Sequence, residues 1–392
     1  MKASLRHAAG SLMVVGLSGA DLTGLERARL KLIQPSGIIL FRRNIADARQ
    51  TRELLDQATA LCAPRSLRCV DMEGGSVNRL RDALAPIPSA QAVARKAGDR
   101  PTLLHPPERR QKDGSRSGGA LAREHGELIA RAVKAFGFNV TLAPVLDLAL
   151  PASARVMGTR AVAPSPDGVV EYARDFVAGL AAQGVAGCGK HFPGLGGGTL
   201  DSHVETPAIR RGFRELWNED LAPYRALRDS LPMVMVNHAA YPNTAGRSRP
   251  ASVSSFWITE VLRKRIGYRG IVFSDDLEMG GILKLMDIEE AAVESIRAGM
   301  DLIEVCHSPE LILRAYEALV HQAETSRAFC ALLISRAREV AKKRGQLFPL
   351  GKPAALSPAR LQALRERILR FGETIGDITK SARAIPTKAE TA

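Results

Sequence analysis

Eight short apolar runs recur along the chain, separated by longer amphipathic stretches. They are SLMVVGLSG (11–19), GIILFRRN (37–44), LRCVDMEGG (67–75), VTLAPVLDL (140–148), GVAGCGKHFPG (184–194), MVMVNHAA (233–240), GIVFSDDL (270–277) and DLIEVCHS (301–308). Runs this short and continuously apolar fit strands of a parallel sheet buried on both faces. Segments 119–137, 167–182, 214–230, 255–266 and 285–299 carry helical spacing between them. Eight such β units alternating with helices predict an α/β fold, a single (β/α)8 TIM-like barrel. A doubly wound sheet is the alternative. The ionisable residues favour the barrel. Asp71, Glu73, Asp147, Lys190, His191, His238, Asp275, Asp276 and His307 all fall at the C-terminal ends of the runs. That is the end where barrels carry their sites.

The flanking segments set the domain plan. Residues 1–350 are expected to form the barrel domain. Residues 99–119, DRPTLLHPPERRQKDGSRSGG, are rich in Pro, Arg, Gly and Ser and predict a flexible surface insertion. A Pro-rich turn within LFPLGKPAALSPARLQ (347–362) leads to a last helix at about 357–371, within a C-terminal helical extension, 351–375. Residues 376–392 are expected to be a disordered tail. The five cysteines include no C-x-x-C pair, which argues against a disulfide framework or a zinc knuckle. The N-terminus lacks a clean signal peptide, and no apolar run reaches 18 residues. A cytoplasmic protein without a membrane span is expected. The net charge of +14 suits either a basic surface or an anionic partner, but 5% aromatic residues supply few stacking platforms for nucleic acid. No nucleic-acid partner is expected.

The stretch KHFPGLGGGTLDSH (190–203) concentrates the chemistry. GVAGCGK (184–190) fits the spacing of a phosphate-binding loop, but His191 stands where Ser or Thr should follow, and Pro193 where a helix should start. His191, Asp201 and His203 could bind a metal, yet no helical His pair or Cys cluster supports one. Proton transfer is best supported. Asp201 and His203, two apart, project to one side of an extended loop, and a carboxylate raises the basicity of a histidine it holds. Gly194 and Gly196–Gly198 would let that loop swing over a ligand. Asp275 ends an apolar run, where a strand would hold it rigidly. A fixed carboxylate opposite a mobile proton donor is the layout of a retaining glycosidase, with histidine in place of the second carboxylate. Asp276 is the rival nucleophile, but adjacent strand residues point to opposite faces, so Asp276 is expected to cap the following turn. Glu73 and Glu278 are weaker rivals.

VDMEGGSVNRL, APVLDL, KHFPG with DSH and TP after it, and GIVFSDDLEMGG occur in that order, and the likeness spans residues 10–345. Together they resemble glycoside hydrolase family 3, in particular its bacterial β-N-acetylhexosaminidases. The resemblance implies an exo-acting, retaining hydrolase of terminal β-linked N-acetylglucosamine, serving peptidoglycan recycling through cleavage of anhydro-muropeptides. It implies Asp275 as nucleophile and His203 as acid/base with Asp201 as partner. It implies Asp71, Arg79, Arg160, Lys190 and His191 as sugar-binding residues, and neither a metal nor another cofactor. The expected partner is a small carbohydrate, and a monomer is expected. Leu195 departs from the family pattern, which often has histidine there. A phosphorylase or β-glucosidase of the same family, and a catalytically inactive carbohydrate-binding barrel, are the alternatives.

Overall fold

The computed structural model describes residues 2–98, 118–198, 207–348 and 354–377. All eight apolar runs contain a strand: β1 (Met13–Gly16), β2 (Gly37–Leu40), β3 (Leu67–Val70), β4 (Val140–Thr141), β5 (Ala186–Phe192), β6 (Met233–Val236), β7 (Ile271–Asp276) and β8 (Leu302–Val305). They pair in parallel, each with the next, and β8 returns to β1 through Met13↔Ile303 and Val15↔Val305. The closed barrel is the expected fold; the doubly wound sheet is not formed. Apolar residues of all eight strands join one buried cluster with the helices around them, which accounts for the unbroken hydrophobicity of the runs.

The helices that bear on the site begin with α1 (Ala48–Thr59), capped by Asp47, and α2 (Ala90–Gly98). Next come α3 (Gly118–Ala135) and α4 (Pro166–Ala182), which pack against each other outside the barrel. Then follow α5 (Ile288–Ala298), α6 (Pro309–Thr325), α7 (Arg327–Leu347) and α8 (Pro358–Ile375). The starts of α4, α6 and α8 share one local signal, Ser followed by Pro. The serine oxygen accepts a backbone N–H of the first turn, and proline costs nothing at the first helical position.

Two expectations need amendment, and one reading already set aside is excluded. The segment 214–230 is not one helix but two, Phe213–Asn218 and Ala222–Leu227. Asp220 turns inward between them to pair with Arg211. The segment 255–266 winds as a π-helix over Phe256–Arg265. The phosphate-loop reading of 184–190 fails because those glycines lie at and within a buried strand. A Cβ on Gly189 would press against Leu146 and Leu231. Most of the expected insertion (99–117) and tail (378–392) lies outside the described residues. All five cysteines are free, and Cys69, Cys188 and Cys306 are buried. Among the described residues no helix is long and apolar enough to cross a membrane.

One end of the barrel is closed by charge. Asp301, fully buried just before β8, accepts from Arg263 (2.6 Å), Lys343 (2.8 Å), Arg336 (3.1 Å) and the Val272 N–H (3.0 Å). Burial opposes its ionisation, but the three cations outweigh that and hold its carboxyl below the usual range. These contacts bind α7 across the N-terminal ends of the strands and leave the C-terminal ends for chemistry.

Candidate active site

The polar strand-end residues converge at the C-terminal mouth. On one side, β3 runs into Asp71 and Glu73, and β5 carries Lys190 and His191. The Lys190 ammonium, 3% exposed, donates to Asp71 Oδ1 (2.7 Å) and Glu73 Oε1 (2.6 Å). Arg160 donates to Glu73 twice, through Nε (2.8 Å) and Nη2 (2.9 Å). Such a fork fixes the guanidinium plane as well as its position. Arg79 lies 3.7 Å from Asp71 Oδ2. His191 Nδ1 donates to Asp147 Oδ2 at 2.7 Å, which fixes the tautomer and leaves Nε2 toward Arg160 Nη2 at 3.4 Å. The other Asp147 oxygen accepts the Leu195 N–H at 2.7 Å. The peptide bonds Lys190–His191 and Phe192–Pro193 are cis.

Electrostatics on this side are settled by pairing. Burial alone would raise the Asp71 and Glu73 carboxyls; Lys190 with Arg79, and Arg160 with Lys190, hold both below the usual carboxylate range. Burial likewise lowers the Lys190 ammonium, but Asp71 and Glu73 raise it further than burial lowers it. The side is a rigid array of ionised donors and acceptors at the barrel mouth, suited to the hydroxyls of a neutral sugar.

The opposite side is acid-rich. The Asp275 carboxylate accepts the Asp276 N–H at 3.0 Å. The Asp276 carbonyl accepts from His238 Nε2 (2.9 Å), whose Nδ1 accepts from Ser252 (2.7 Å). Asp276 Oδ1 accepts the Glu278 N–H at 3.1 Å, so Asp276 caps the turn as expected. Its other oxygen lies 3.4 Å from His307 Nε2, while His307 Nδ1 accepts from Arg43 at 2.9 Å. Burial raises the Asp276 carboxyl, and Glu278 and Asp275 add to it. Glu278 accepts from the His307 and Ser308 N–H groups at the start of α6. It is engaged as a helix cap, as Glu73 is engaged by Arg160 and Lys190.

Glu304 was not foreseen. It sits on β8, 2% exposed, and its N–H bonds the Ser274 hydroxyl at 2.9 Å. Oε1 has no hydrogen-bond partner among the described residues. Burial, then Asp276, Asp71 and Asp275, raise its carboxyl well above the ordinary range. The isolated charge within an apolar run, DLIEVC, was the available signal. Of the expected site residues, Asp71, Arg79, Arg160, Lys190, His191 and Asp275 line this mouth. Asp201 and His203 lie outside the described residues.

Comparison with known proteins places the chain. The family model described as "Glycosyl hydrolase family 3 N terminal domain" matches residues 5–342. A β-hexosaminidase of Alkalilimnicola ehrlichii is 39% identical over 301 residues, 76% of this chain and 82% of its own. A solved family 3 β-N-acetylglucosaminidase from Paenibacillus superposes with a TM-score of 0.78 at 30% identity, covering 94% of this chain and 68% of that one. NagZ from Neisseria gonorrhoeae, solved in complex with N-trifluoroacetyl-D-glucosamine, superposes at 0.71 with 29% identity, covering 95% and 98%. The chain belongs to glycosyl hydrolase family 3. Within that family it is a glycoside hydrolase of the β-hexosaminidase group.

Proposed function

We propose that the enzyme is a retaining exo-β-N-acetylglucosaminidase, with Asp275 as nucleophile and His203, partnered by Asp201, as acid/base. Its substrate is a terminal β-linked N-acetylglucosamine of a peptidoglycan fragment, an anhydro-muropeptide, hydrolysed in the cytoplasm by a monomer. The observation that carries the reading is the division of the mouth. Lys190, Arg160, Asp71 and His191 form a fixed hydrogen-bonding wall, and Asp275 stands on the other side at the end of a strand.

In the first step an Asp275 oxygen attacks the anomeric carbon and the glycosidic C–O bond breaks. The His203 imidazolium gives its proton to the departing oxygen. In the second step His203 takes a proton from water, the water oxygen attacks the same carbon, and the Asp275 ester bond breaks. Asp71 and Lys190 bind sugar hydroxyls as acceptor and donor, with Arg79 beside Asp71; on the same wall Arg160 adds a donor and His191 an acceptor at Nε2. The 2.8 Å and 2.9 Å fork from Arg160 to Glu73 keeps that donor from following the ligand out.

Release of nitrophenol from β-linked nitrophenyl N-acetylglucosaminide, with the glucoside run beside it, tests the reading. Turnover of the first substrate that is lost in Asp275→Asn supports it. Preference for the glucoside would overturn the N-acetyl assignment, and full activity in Asp275→Asn would overturn the nucleophile. A sugar 1-phosphate formed in phosphate buffer would replace hydrolysis with phosphorolysis.

A further inference from the structure

Both partners of the Glu73–Arg160 fork are tied to a single segment, residues 87–91, which leads into α2, and that segment is held by Asp377. On the Glu73 side, the Gly75 N–H donates to the Ile87 carbonyl at 2.8 Å. Gly74 (φ 92°) and Gly75 (φ 58°) adopt backbone that disfavours side chains. A Cβ on Gly74 would lie 2.2 Å from the Pro88 oxygen and 3.1 Å from His125 Nε2. One on Gly75 would lie 2.6 Å from the Ser89 Cβ. The segment carrying Glu73 is therefore pressed onto Pro88, Ser89 and His125 with no space to spare. On the Arg160 side, Gln91 Nε2 donates to the carbonyl of Ala161, the next residue, at 3.0 Å.

The C-terminal helix reaches both supports. Helix α8 lies beyond the residues matched by the family model and buries Leu364, Ile368, Phe371, Gly372 and Ile375, spaced along one face, against the α2–α3 side of the barrel. Phe371 stacks on His125, with ring centres 5.9 Å apart and planes at 21°. The His125 ring is fully buried and bonds the Tyr172 hydroxyl through Nδ1 at 2.7 Å. Burial lowers the His125 imidazole to about 3, so the ring stays neutral and serves as a packing surface. Arg367 pairs with Glu124 at 3.2 Å, one residue before His125. Past the helix end, Asp377 Oδ2 accepts both the Ser89 N–H and the Ser89 hydroxyl, each at 2.9 Å. Ser89 in turn opens α2, its hydroxyl accepting the Ala92 N–H at 3.3 Å.

We propose that Asp377 and Phe371 are positioning residues for the sugar-binding wall: α8 clamps the 87–91 segment at the start of α2, and that segment sets Glu73 and Arg160 together. The proposal rests on the sugar-binding role given to that wall above. It assigns the C-terminal helix a part in substrate affinity, which a purely stabilising appendage would lack. The clamp acts on ground-state binding, so it changes KM more than kcat.

The test uses the full chain with Asp377→Ala, Asp377→Asn and Phe371→Ala. Kinetics are measured on nitrophenyl N-acetylglucosaminide, and amide exchange over 72–76 and 158–162. Asp377→Ala is expected to raise KM roughly fivefold to tenfold with kcat within about twofold, the scale of losing charge-assisted hydrogen bonds at one remove. Exchange should quicken at Gly75 and stay unchanged in β1 and β8. Asp377→Asn keeps an acceptor oxygen and is expected to restore both readouts; Phe371→Ala should shift them the same way as Asp377→Ala. Unchanged KM and exchange in Asp377→Ala would overturn the proposal, as would a fall in melting temperature alone. An Arg160→Ala variant with unaltered KM would overturn the sugar-binding role of the wall. Quickened exchange at Gly75 in Asp377→Ala would still support the clamp.

Discussion

Replacing Glu73 with Gln isolates what its charge contributes. The shape is kept, but Arg160 loses its principal counter-ion and Lys190 one of its two. Lys190 retains Asp71, while Arg160 keeps one acceptor on the Gln amide, the 3.4 Å contact with His191 and the charges of Asp71 and Asp147, but loses the second arm of its fork. Removing one member of a buried, hydrogen-bonded pair costs about 3–5 kcal/mol. With an unfolding entropy of about 2.1 cal/mol/K per residue, the 392-residue chain has about 0.8 kcal/mol/K, so the melting temperature should fall by about 4–6 °C at pH 7. The sign with pH follows from linkage. The Glu73 carboxyl is held below its unfolded value, so its stabilisation is complete above the unfolded pKa and is lost as pH falls toward the folded one. The gap between wild type and variant should therefore narrow at pH 4 relative to pH 7. KM for the N-acetylglucosaminide should rise at least tenfold because Arg160 loses its fixed plane. Calorimetry at the two pH values, with kinetics at pH 7, is the assay. A variant melting within 1 °C of wild type at pH 7, or a gap that widens on acidification, would refute the reasoning.

Other substitutions separate the elements of the site. Asp276→Asn should retain activity within about threefold, since burial already favours the neutral form, whereas Asp275→Asn should lose at least about a thousandfold. Equal losses would mean the two carboxyls had been assigned wrongly. Asp301→Asn should lower the melting temperature by an amount similar to Glu73→Gln, with kcat and KM unchanged, because its three cations lie at the other end of the barrel. A kinetic defect there would contradict the separation of the two ends. Glu304 has a folded pKa above its unfolded one, so it drains stability as pH rises between them. Glu304→Gln should therefore gain in urea midpoint relative to wild type from pH 5 to pH 8; parallel profiles would show that the buried carboxyl is not held neutral.

The barrel was legible because four-residue runs such as MVVG, GIIL and MVMV have few places to go except a sheet covered on both faces. The lengths of the strands were less so. In VTLAPVLDL regular pairing stops after Thr141 and Pro144 lacks an N–H; single hydrogen bonds from Cys188 to Ala143 (2.8 Å) and Lys190 to Pro144 (3.1 Å) carry the contact with β5 to the bridge Val145↔Lys190. Which residues would crowd the mouth could be read from strand ends, but their choice of partners could not. Glu73 and Arg160 are 87 positions apart, and Asp147 and His191 are 44 apart. Glu73 looked like a rival nucleophile because its bond to Arg160 is a property of the closed barrel, not of the segment. The clamp by Asp377 was invisible for the same reason: its partner is 288 residues away.

The seam between β1 and β8 also governs how the molecule comes into being. Met13–Val15 can complete their second row of hydrogen bonds only with Ile303–Val305, nearly three hundred residues later. During synthesis the first strand must wait, with one apolar edge open, until the last strand leaves the ribosome. The barrel therefore cannot close before residue 305 is available, and that closure is what removes the last open sheet edge.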